Sequence, residues 1–200
     1  MAELVETPYG RARVHRHPVD DPRAALVLGH GAGGGVDSPD LAGATEAANE
    51  AGLSVALIEQ PYRVAGRRAP APARQLDEVW LEVVPELFPD LPLIVGGRSL
   101  GARVACRTAA ELGAKAVLCL AFPVHPPGKP EKSRLAELDD VTVPTLVVQG
   151  ERDPFGIPPA GSRRQVVLIP GTHSLKSSST VAAAVSAWLA ATLKRRAFAR

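Results

Sequence analysis

The protein has 200 residues, with 23 basic and 21 acidic side chains and a formal net charge of +2 at pH 7. A hydrophobic content of 46% is enough to build a core, which excludes a disordered or fibrous chain. The near-balanced charge gives no electrostatic footprint for nucleic acid. The length predicts one domain over residues 1–200.

The sequence also lacks the marks of export or of membrane insertion. The first twenty residues carry charges throughout and have no apolar segment of the kind that a secretory signal needs. No stretch approaches the roughly 18 uninterrupted apolar residues of a transmembrane helix. Cys106 and Cys119 are expected to be buried, reduced thiols. We therefore predict a cytoplasmic protein with neither a membrane nor a nucleic acid as partner.

Short apolar runs alternate with helix-length segments, which is typical of a mostly parallel sheet covered by helices on both faces. The N-terminal residues 4–16, with a turn around Pro8 and Gly10, predict an antiparallel hairpin at the sheet edge. The sequence then predicts strands over residues 24–28, 54–58, 93–95, 116–120, 145–148 and 166–169. It predicts helices over residues 39–51, 75–87, 100–112 and 178–198.

Two proline-rich stretches are predicted to be long loops that follow strands. Residues 61–73 hold three prolines and residues 122–132 hold four. In open α/β sheets such loops lie at the carboxyl ends of the strands, where ligands bind. We therefore expect an open pocket bounded by these two loops, with no segment left over for a lid domain.

The segment with the most chemical information is Gly97-Arg98-Ser99-Leu100-Gly101, between a predicted strand and a predicted helix. It matches G-x-S-x-G, in which the flanking glycines allow a turn so sharp that the serine is exposed at the strand end. In a glycine-rich chain the pentapeptide alone is weak evidence, and an incidental serine in a turn is the alternative. Its position between strand and helix favours a nucleophile at Ser99.

A serine nucleophile needs a base and a carboxylate that orients the base. In the chain order of this topology the acid follows the serine and the histidine comes last. His173 lies in the loop before the last predicted helix, although a solvated turn residue is the alternative. Asp153 and Glu151 both follow the strand at 145–148, and we favour Asp153 because it lies deeper in its loop, beside Pro154. An Asp-Pro pair is also an ordinary turn initiator.

The glycine-rich loop over residues 29–35 offers a backbone donor for the oxyanion that forms during acyl transfer. One N–H of such a pair comes from a loop of this kind and the other from the residue after the nucleophile. The predicted donors are therefore the amides of Ala32 and Leu100.

The same loop supports a different interpretation as a dinucleotide site. Gly29, Gly31 and Gly34 form a G-x-G-x-x-G pattern, and Glu59 ends the next strand near the place of a ribose-binding acid. However, three residues separate Gly34 from Ser38, where the helix signal begins, whereas the last glycine of the fingerprint should open a helix. This interpretation also leaves the serine, the aspartate and the histidine unexplained.

A metal site is not predicted. His15 and His17 lie on one face of a predicted strand, but no acidic or cysteine ligands gather around them in the sequence. A solvated sheet edge explains them better, and we expect no cofactor.

Five blocks of the sequence, taken in order, resemble the α/β-hydrolase superfamily. They are GHGAGG at 29–34, QPYR at 60–63, GGRSLGAR at 96–103, FPVHPPGKP at 122–130 and QGERDPFG at 149–156. The likeness is narrower to the dienelactone-hydrolase-like group, in a branch related to a testis-expressed hydrolase-like protein and a subunit of the NSL histone acetyltransferase complex. Serine at position 99 departs from the cysteine nucleophile of dienelactone hydrolases proper.

The resemblance implies a triad of Ser99, Asp153 and His173 that hydrolyses a small-molecule carboxylic ester or related acyl bond through an acyl-enzyme. Because some relatives are thought to be assembly subunits, an inactive scaffold or binding protein is the alternative from another class. The sequence does not predict an oligomeric state. Candidates for substrate contact are His30, Gly31, Gly33, Tyr62, Arg63, Arg98 and Phe155, and the arginines would favour an acidic substrate.

Overall fold

The computed structural model describes residues 2–198 and contains one sheet of eight strands. The strands are β1 Ala2–Val5, β2 Ala12–His17, β3 Ala24–Gly29, β4 Leu53–Glu59, β5 Leu93–Arg98, β6 Ala116–Leu120, β7 Thr145–Gly150 and β8 Arg164–Ile169. Their order is β1-β2-β4-β3-β5-β6-β7-β8. The β1–β2 and β2–β4 pairs are antiparallel, and all other pairs are parallel. The predicted α/β fold, its edge hairpin and its six further strands are confirmed.

Helices cover both faces of the sheet. They are α1 Pro39–Glu50, α2 Pro61–Val64, α3 Ala73–Leu87, α4 Leu100–Thr108, α5 Leu135–Asp139 and α6 Ser178–Thr192, followed by a 3-10 helix at Arg196–Phe198. Helices α1 and α6 pack on one face, and α3 and α4 on the other. None of the helices in residues 2–198 has the length and apolar character needed to cross a bilayer.

The central strands are apolar along their whole length because both of their faces are covered. Successive side chains of a strand point to opposite faces, so neighbouring residues enter different cores. In β3, for example, Leu26 and Leu28 pack under α1 and α6, whereas Val27 packs under α3 and α4. All three side chains are fully buried. Buried strands of this kind are typical of parallel sheets.

Short helical segments account for most differences from the predicted elements. Helix α2 lies inside the stretch predicted as a loop, with Pro61 at its first position, and α5 was not predicted because five residues are too few to show helical periodicity. The helix predicted to reach residue 112 ends at Thr108 and continues as turns to Gly113, where φ is +61°. The last helix ends at Thr192 rather than 198, because tighter turns follow and bring Phe198 into the core.

The strand order creates a crevice at the carboxyl end of β3. From β3 the chain crosses to β4 on one side, and it then returns past β3 to β5 on the other side. The loops that leave β3 and β5 therefore diverge, and such a switch point is where open α/β sheets bind ligands. The glycine-rich loop and the G-x-S-x-G segment are the loops on either side of this crevice.

Three glycines permit an unusually close backbone approach at this crevice. A Cβ on Gly97 or on Gly101 would collide with the backbone of Gly29. A Cβ on Gly29 would in turn press on Gly101 and on the Trp80 ring. Helix α4 can thus begin directly against β3 and β5 only because these positions lack side chains.

We predict that Gly101→Ala lowers the unfolding free energy by about 3 kcal/mol, the upper end for an overpacked core, because backbone atoms cannot move aside as a flexible side chain can. Gly161→Ala is the matched control, since a Cβ there would make only ordinary contacts with Arg164. Urea unfolding of both variants measures the difference. If the two variants were equally stable, the close backbone approach of Gly101 to Gly29 would not be what limits the position of α4.

Candidate active site

Ser99 lies at the turn between β5 and α4 in a strained backbone conformation. Its φ is +50° and its ψ is −102°, a region that residues with a side chain rarely adopt. Such conformations cost about 1–3 kcal/mol and persist only where the surroundings enforce them. Here the Ser99 amide donates to the Leu120 carbonyl at 2.9 Å, and the Gly101 amide donates to the His30 carbonyl at 3.1 Å. The turn is therefore fixed by both neighbouring strand ends.

The side chains of Ser99, His173 and Asp153 form one chain of hydrogen bonds. His173 Nε2 lies 2.8 Å from Ser99 Oγ, and His173 Nδ1 lies 2.8 Å from Asp153 Oδ2. The Asp153 carboxylate is fully buried, whereas the His173 ring keeps 16% of its surface exposed. Glu151, the other acidic candidate, is exposed two residues before Asp153. This arrangement of hydroxyl, imidazole and buried carboxylate is the geometry of nucleophile, base and orienting acid.

The Asp153 carboxylate is itself held in place by two donors. The Phe155 amide donates to Oδ1 at 2.8 Å, and Gln149 Nε2 donates to Oδ2 at 2.7 Å. Gln149 is fully buried at the end of β7, and its amide also approaches the carbonyls of Phe122 and Gly156. Sequence reasoning missed Gln149, although a polar residue that ends an apolar strand beside the acid was a usable signal.

The His173 loop is held from two further directions. The Phe155 ring stacks on the imidazole with ring centroids 4.0 Å apart. Arg98 Nη2 donates to the His173 carbonyl at 3.3 Å, and Arg98 Nε forms a 2.8 Å ion pair with Asp40 of α1. A side chain on Gly31 would collide with this guanidinium. Arg98 therefore helps to position the histidine loop, and its predicted contact with substrate stays a prediction.

Gln60 and Tyr62, which follow β4, help to anchor the glycine-rich loop after β3. His30 is buried; its Nδ1 lies 2.7 Å from the Gly31 carbonyl, and its Nε2 accepts the Gln60 amide at 3.1 Å. The Tyr62 hydroxyl donates to the Ala32 carbonyl at 2.9 Å. Burial raises the pKa of Tyr62 to about 12, so the hydroxyl keeps its proton at neutral pH. The hydrogen bonds of Gln60 with His30 and of Tyr62 with Ala32 hold the loop where it passes Ser99.

The amides of Ala32 and Leu100 are available for an external acceptor. Within residues 2–198 neither amide donates a hydrogen bond to the protein. Leu100 is the first residue of α4, where helix amides have no partner within the helix. Both residues line the cleft that contains Ser99, so the structure is compatible with their predicted role as oxyanion donors.

The cleft has a volume of about 340 Å³, a size suited to a small molecule. It includes Pro70 and Pro123, one from each of the proline-rich loops. Among the candidates for substrate contact, Gly33, Arg98 and Phe155 line it, and Ser99 and His173 do as well. Two arginines that sequence reasoning missed, Arg103 and Arg134, complete its lining.

Four predicted contact residues do not line this cleft. His30 and Tyr62 are buried behind the glycine-rich loop, and Gly31 is covered by Arg98. Arg63 donates to the Arg67 carbonyl at 3.3 Å instead of turning toward Ser99. The structure thus does not bring these four residues to the cleft, because a shared loop does not fix the direction of a side chain, and their contact with substrate stays a prediction.

The features that suggested other functions have structural roles. Glu59, the candidate ribose-binding acid, bonds to Arg13 and His15 of β2 at 3.0 and 3.1 Å. Helix α1 begins at Pro39 and not at Gly34, so this loop does not open a helix as a dinucleotide fingerprint does. No group of three or more His, Cys, Asp or Glu side chains in residues 2–198 could hold a metal ion.

The two cysteines lie closer together than their sequence settings indicated. Cys106 of α4 and Cys119 of β6 are both buried and free, and their Sγ atoms are 3.6 Å apart. The Cys119 thiol and burial together raise the pKa of Cys106 well above its ordinary value. Cys106 therefore stays protonated and belongs to the core rather than to the cleft.

We predict that His30 makes the protein less stable in mild acid. Burial lowers its pKa below the ordinary value of 6.5, although the hydrogen bond to the Gly31 carbonyl opposes the shift. Below pH 6.5 the unfolded chain binds a proton at His30 that the folded protein does not, so the unfolding free energy falls as the pH falls.

His30→Gln should flatten this pH dependence by up to about 1.4 kcal/mol per pH unit in that range. Urea unfolding of both proteins at several pH values between 5 and 7.5 measures the effect. If the unfolding free energies of the two proteins changed with pH in parallel, His30 would not be the cause of the pH dependence.

Comparisons with known proteins agree with this architecture. A family model described as an alpha/beta hydrolase domain matches residues 22–185. An α/β serine hydrolase homologue from Coxiella burnetii superposes with a TM-score of 0.77 at 18% identity, over 94% of this chain and 97% of the other. Est1E from Butyrivibrio proteoclasticus gives a TM-score of 0.76 at 17% identity, over 97% and 99%.

A third solved structure, an α/β serine hydrolase without a lid from Xanthomonas campestris, has a TM-score of 0.69 at 22% identity, over 94% of each chain. At these identities the likeness to solved structures concerns the fold. No protein of curated function matches the chain significantly by sequence. The family model covers most of the chain and the eight-stranded sheet has the corresponding architecture, so this protein belongs to the α/β-hydrolase family.

Proposed function

We propose that the protein is a serine hydrolase that cleaves a carboxylic ester or a related acyl bond. The observation that carries the proposal is the unbroken hydrogen-bond chain from Ser99 Oγ through His173 to buried Asp153, opening into a cleft. A structural histidine has no need of a serine on one nitrogen and a buried carboxylate on the other. The strained turn that exposes Ser99 adds support, since such strain collects at functional sites.

In the first step Ser99 Oγ attacks the carbonyl carbon of the substrate while His173 Nε2 takes the hydroxyl proton. Asp153 accepts the Nδ1 proton in a hydrogen bond, which fixes the tautomer that leaves Nε2 free to act as base. Its buried negative charge then stabilises the imidazolium. The imidazolium returns the proton to the leaving alcohol, and an acyl group remains bonded to Ser99 Oγ.

In the second step water takes the place of the alcohol. His173 removes a proton from the water, the resulting hydroxide attacks the acyl carbon, and the Ser99 oxygen leaves as the serine hydroxyl is restored. The unoccupied amides of Ala32 and Leu100 are the proposed donors to the oxyanion in both steps. One such donor contributes about 3–4 kcal/mol of transition-state stabilisation.

The structural neighbours fit the proposed hydrolase function. One is a dienelactone hydrolase from Anabaena variabilis, and Est1E has also been solved with ferulic acid bound. At 19% and 21% identity these neighbours indicate no narrower substrate for this chain. Membership of the branch related to the testis-expressed protein and the NSL-complex subunit stays a prediction from the sequence blocks, as does the alternative of an inactive scaffold.

We predict that a fluorophosphonate probe labels Ser99 in the folded protein, because the strained turn and His173 make this hydroxyl nucleophilic. Ser99→Ala should remove the label and the turnover of p-nitrophenyl esters while leaving the unfolding transition in place. Mass spectrometry of the labelled peptide identifies the residue. The absence of an adduct on the folded wild-type protein would favour the alternative of an inactive scaffold protein. Turnover by Ser99→Ala at the wild-type rate would refute Ser99 as the nucleophile.

Asp153→Asn should lower kcat by about 10⁴-fold, because an amide no longer selects the histidine tautomer with a free Nε2. Glu151→Gln is the matched control, since it removes the same charge from an exposed position in the same loop. Steady-state kinetics on p-nitrophenyl acetate compare the two variants. If Glu151→Gln were as damaging as Asp153→Asn, the effect would come from loop charge and not from the contact with His173.

A further inference from the structure

Three arginines line the cleft around Ser99, and two of them have carboxylate partners. Arg98 pairs with Asp40 at 2.8 Å. Arg103 forms a two-pronged pair with Glu137, with Nε and Nη2 donating at 2.7 and 2.5 Å. No aspartate or glutamate is among the residues that line the cleft. Two of the three cationic side chains at the cleft are therefore already neutralised within the protein.

The third arginine, Arg134, is the exception. No carboxylate in residues 2–198 lies within ion-pair distance of its guanidinium. The nearby Glu137 is already shared, because Arg103 holds both of its oxygens and Arg107 Nη1 approaches Oε2 at 3.2 Å. Arg107 has a second partner in Asp77. The acids of this region are thus committed to other arginines.

Arg134 is also held at the cleft and partly withdrawn from water. Its amide donates to the Val124 carbonyl at 2.7 Å, which ties the start of α5 to the proline-rich loop beside Ser99. Its side chain is half-buried. Burial, and after it the neighbouring Arg103, lowers the pKa of Arg134, while the charge of Glu137 opposes the shift; a guanidinium stays charged at neutral pH. The Arg134 guanidinium is therefore a partly exposed cation without a carboxylate partner among the described residues, and it is available to an anion that enters the cleft.

We propose that Arg134 is a specificity-determining residue that binds a carboxylate on the ester substrate. The planar guanidinium offers two parallel N–H donors, which match a carboxylate. The cleft of about 340 Å³ holds both Arg134 and Ser99, so a small molecule can reach both groups at once. This inference rests on the proposed hydrolase function and adds the substrate class: small esters with a carboxylate on the acyl or the alcohol side.

Two pairs of substrates test the inference and distinguish the two sides of the ester. Mono-p-nitrophenyl glutarate carries a carboxylate on a five-carbon acyl chain, and p-nitrophenyl valerate is its neutral counterpart. 4-Acetoxybenzoate carries the carboxylate on the leaving group, and phenyl acetate is its neutral counterpart. We expect one carboxylated ester to exceed its counterpart in kcat/KM, and Arg134→Gln to lower that kcat/KM by about 10- to 100-fold, as expected for a charged hydrogen bond.

Further measurements distinguish a lost carboxylate contact from a loss of folding. Arg134→Gln should keep the fluorophosphonate label on Ser99 and should lower kcat/KM for the neutral esters far less than for the carboxylated ester, and Arg134→Lys should recover part of the lost kcat/KM. Arg163→Gln is the matched control, because Arg163 is exposed just before β8, at the opposite end of the strands. Added salt should weaken only the preference for the carboxylated ester.

The inference and the proposed function fail in different ways. If Ser99 is labelled and neutral esters are turned over, but neither carboxylated ester depends on Arg134, the inference is wrong and the hydrolase proposal stands. If there is neither labelling nor turnover, the hydrolase proposal is wrong, and monoethyl glutarate is titrated into the protein by NMR. Binding that Arg134→Gln abolishes and Arg163→Gln retains would support the carboxylate site, and any other result would overturn it.

Discussion

The candidate site depends on one steric constraint, the contact of backbone with backbone where β3, β5 and α4 meet. Gly29, Gly97 and Gly101 lack side chains, so the first turn of α4 lies directly on the ends of two strands. That approach leaves no relaxed path for the residue between strand and helix, and Ser99 takes a positive φ as a result. The same constraint exposes the serine side chain at the switch point of the sheet.

The rest of the site is built outward from that turn by groups that come from every neighbouring strand end. The loop after β3 is fixed by His30 and Tyr62, and the acid after β7 is fixed by Gln149. The histidine loop after β8 is fixed by Arg98, which reaches from β5. Each of these supports is half-buried or buried and hydrogen-bonded. A chemical group held in this way needs little reorganisation during a reaction, which is the physical basis of electrostatic catalysis.

The balance of charge around the cleft is uneven for a structural reason. Helix α4 places Arg103 and Arg107 on one side, and the single Glu137 of α5 serves both of them. Arg134, at the start of α5, is thereby left facing the cleft without a carboxylate. The short helix α5, which has no clear signal in the sequence, thus sets the electrostatic character of the cleft beside Ser99.

The sequence by itself determined the strands and the position of the elbow, because both depend on local patterns: runs of apolar residues and glycines at fixed spacing. It also identified Ser99, Asp153 and His173 as candidate site residues. Chain order tells which strand end each residue follows, and parallel strands bring those ends together. The sequence did not show that Tyr62 and Arg63 lie away from the cleft, and it did not find Gln149 or Arg134, because side-chain direction and charge pairing depend on partners distant in the chain. Only the tertiary structure decided which polar groups are used up inside the protein and which are left to face a ligand.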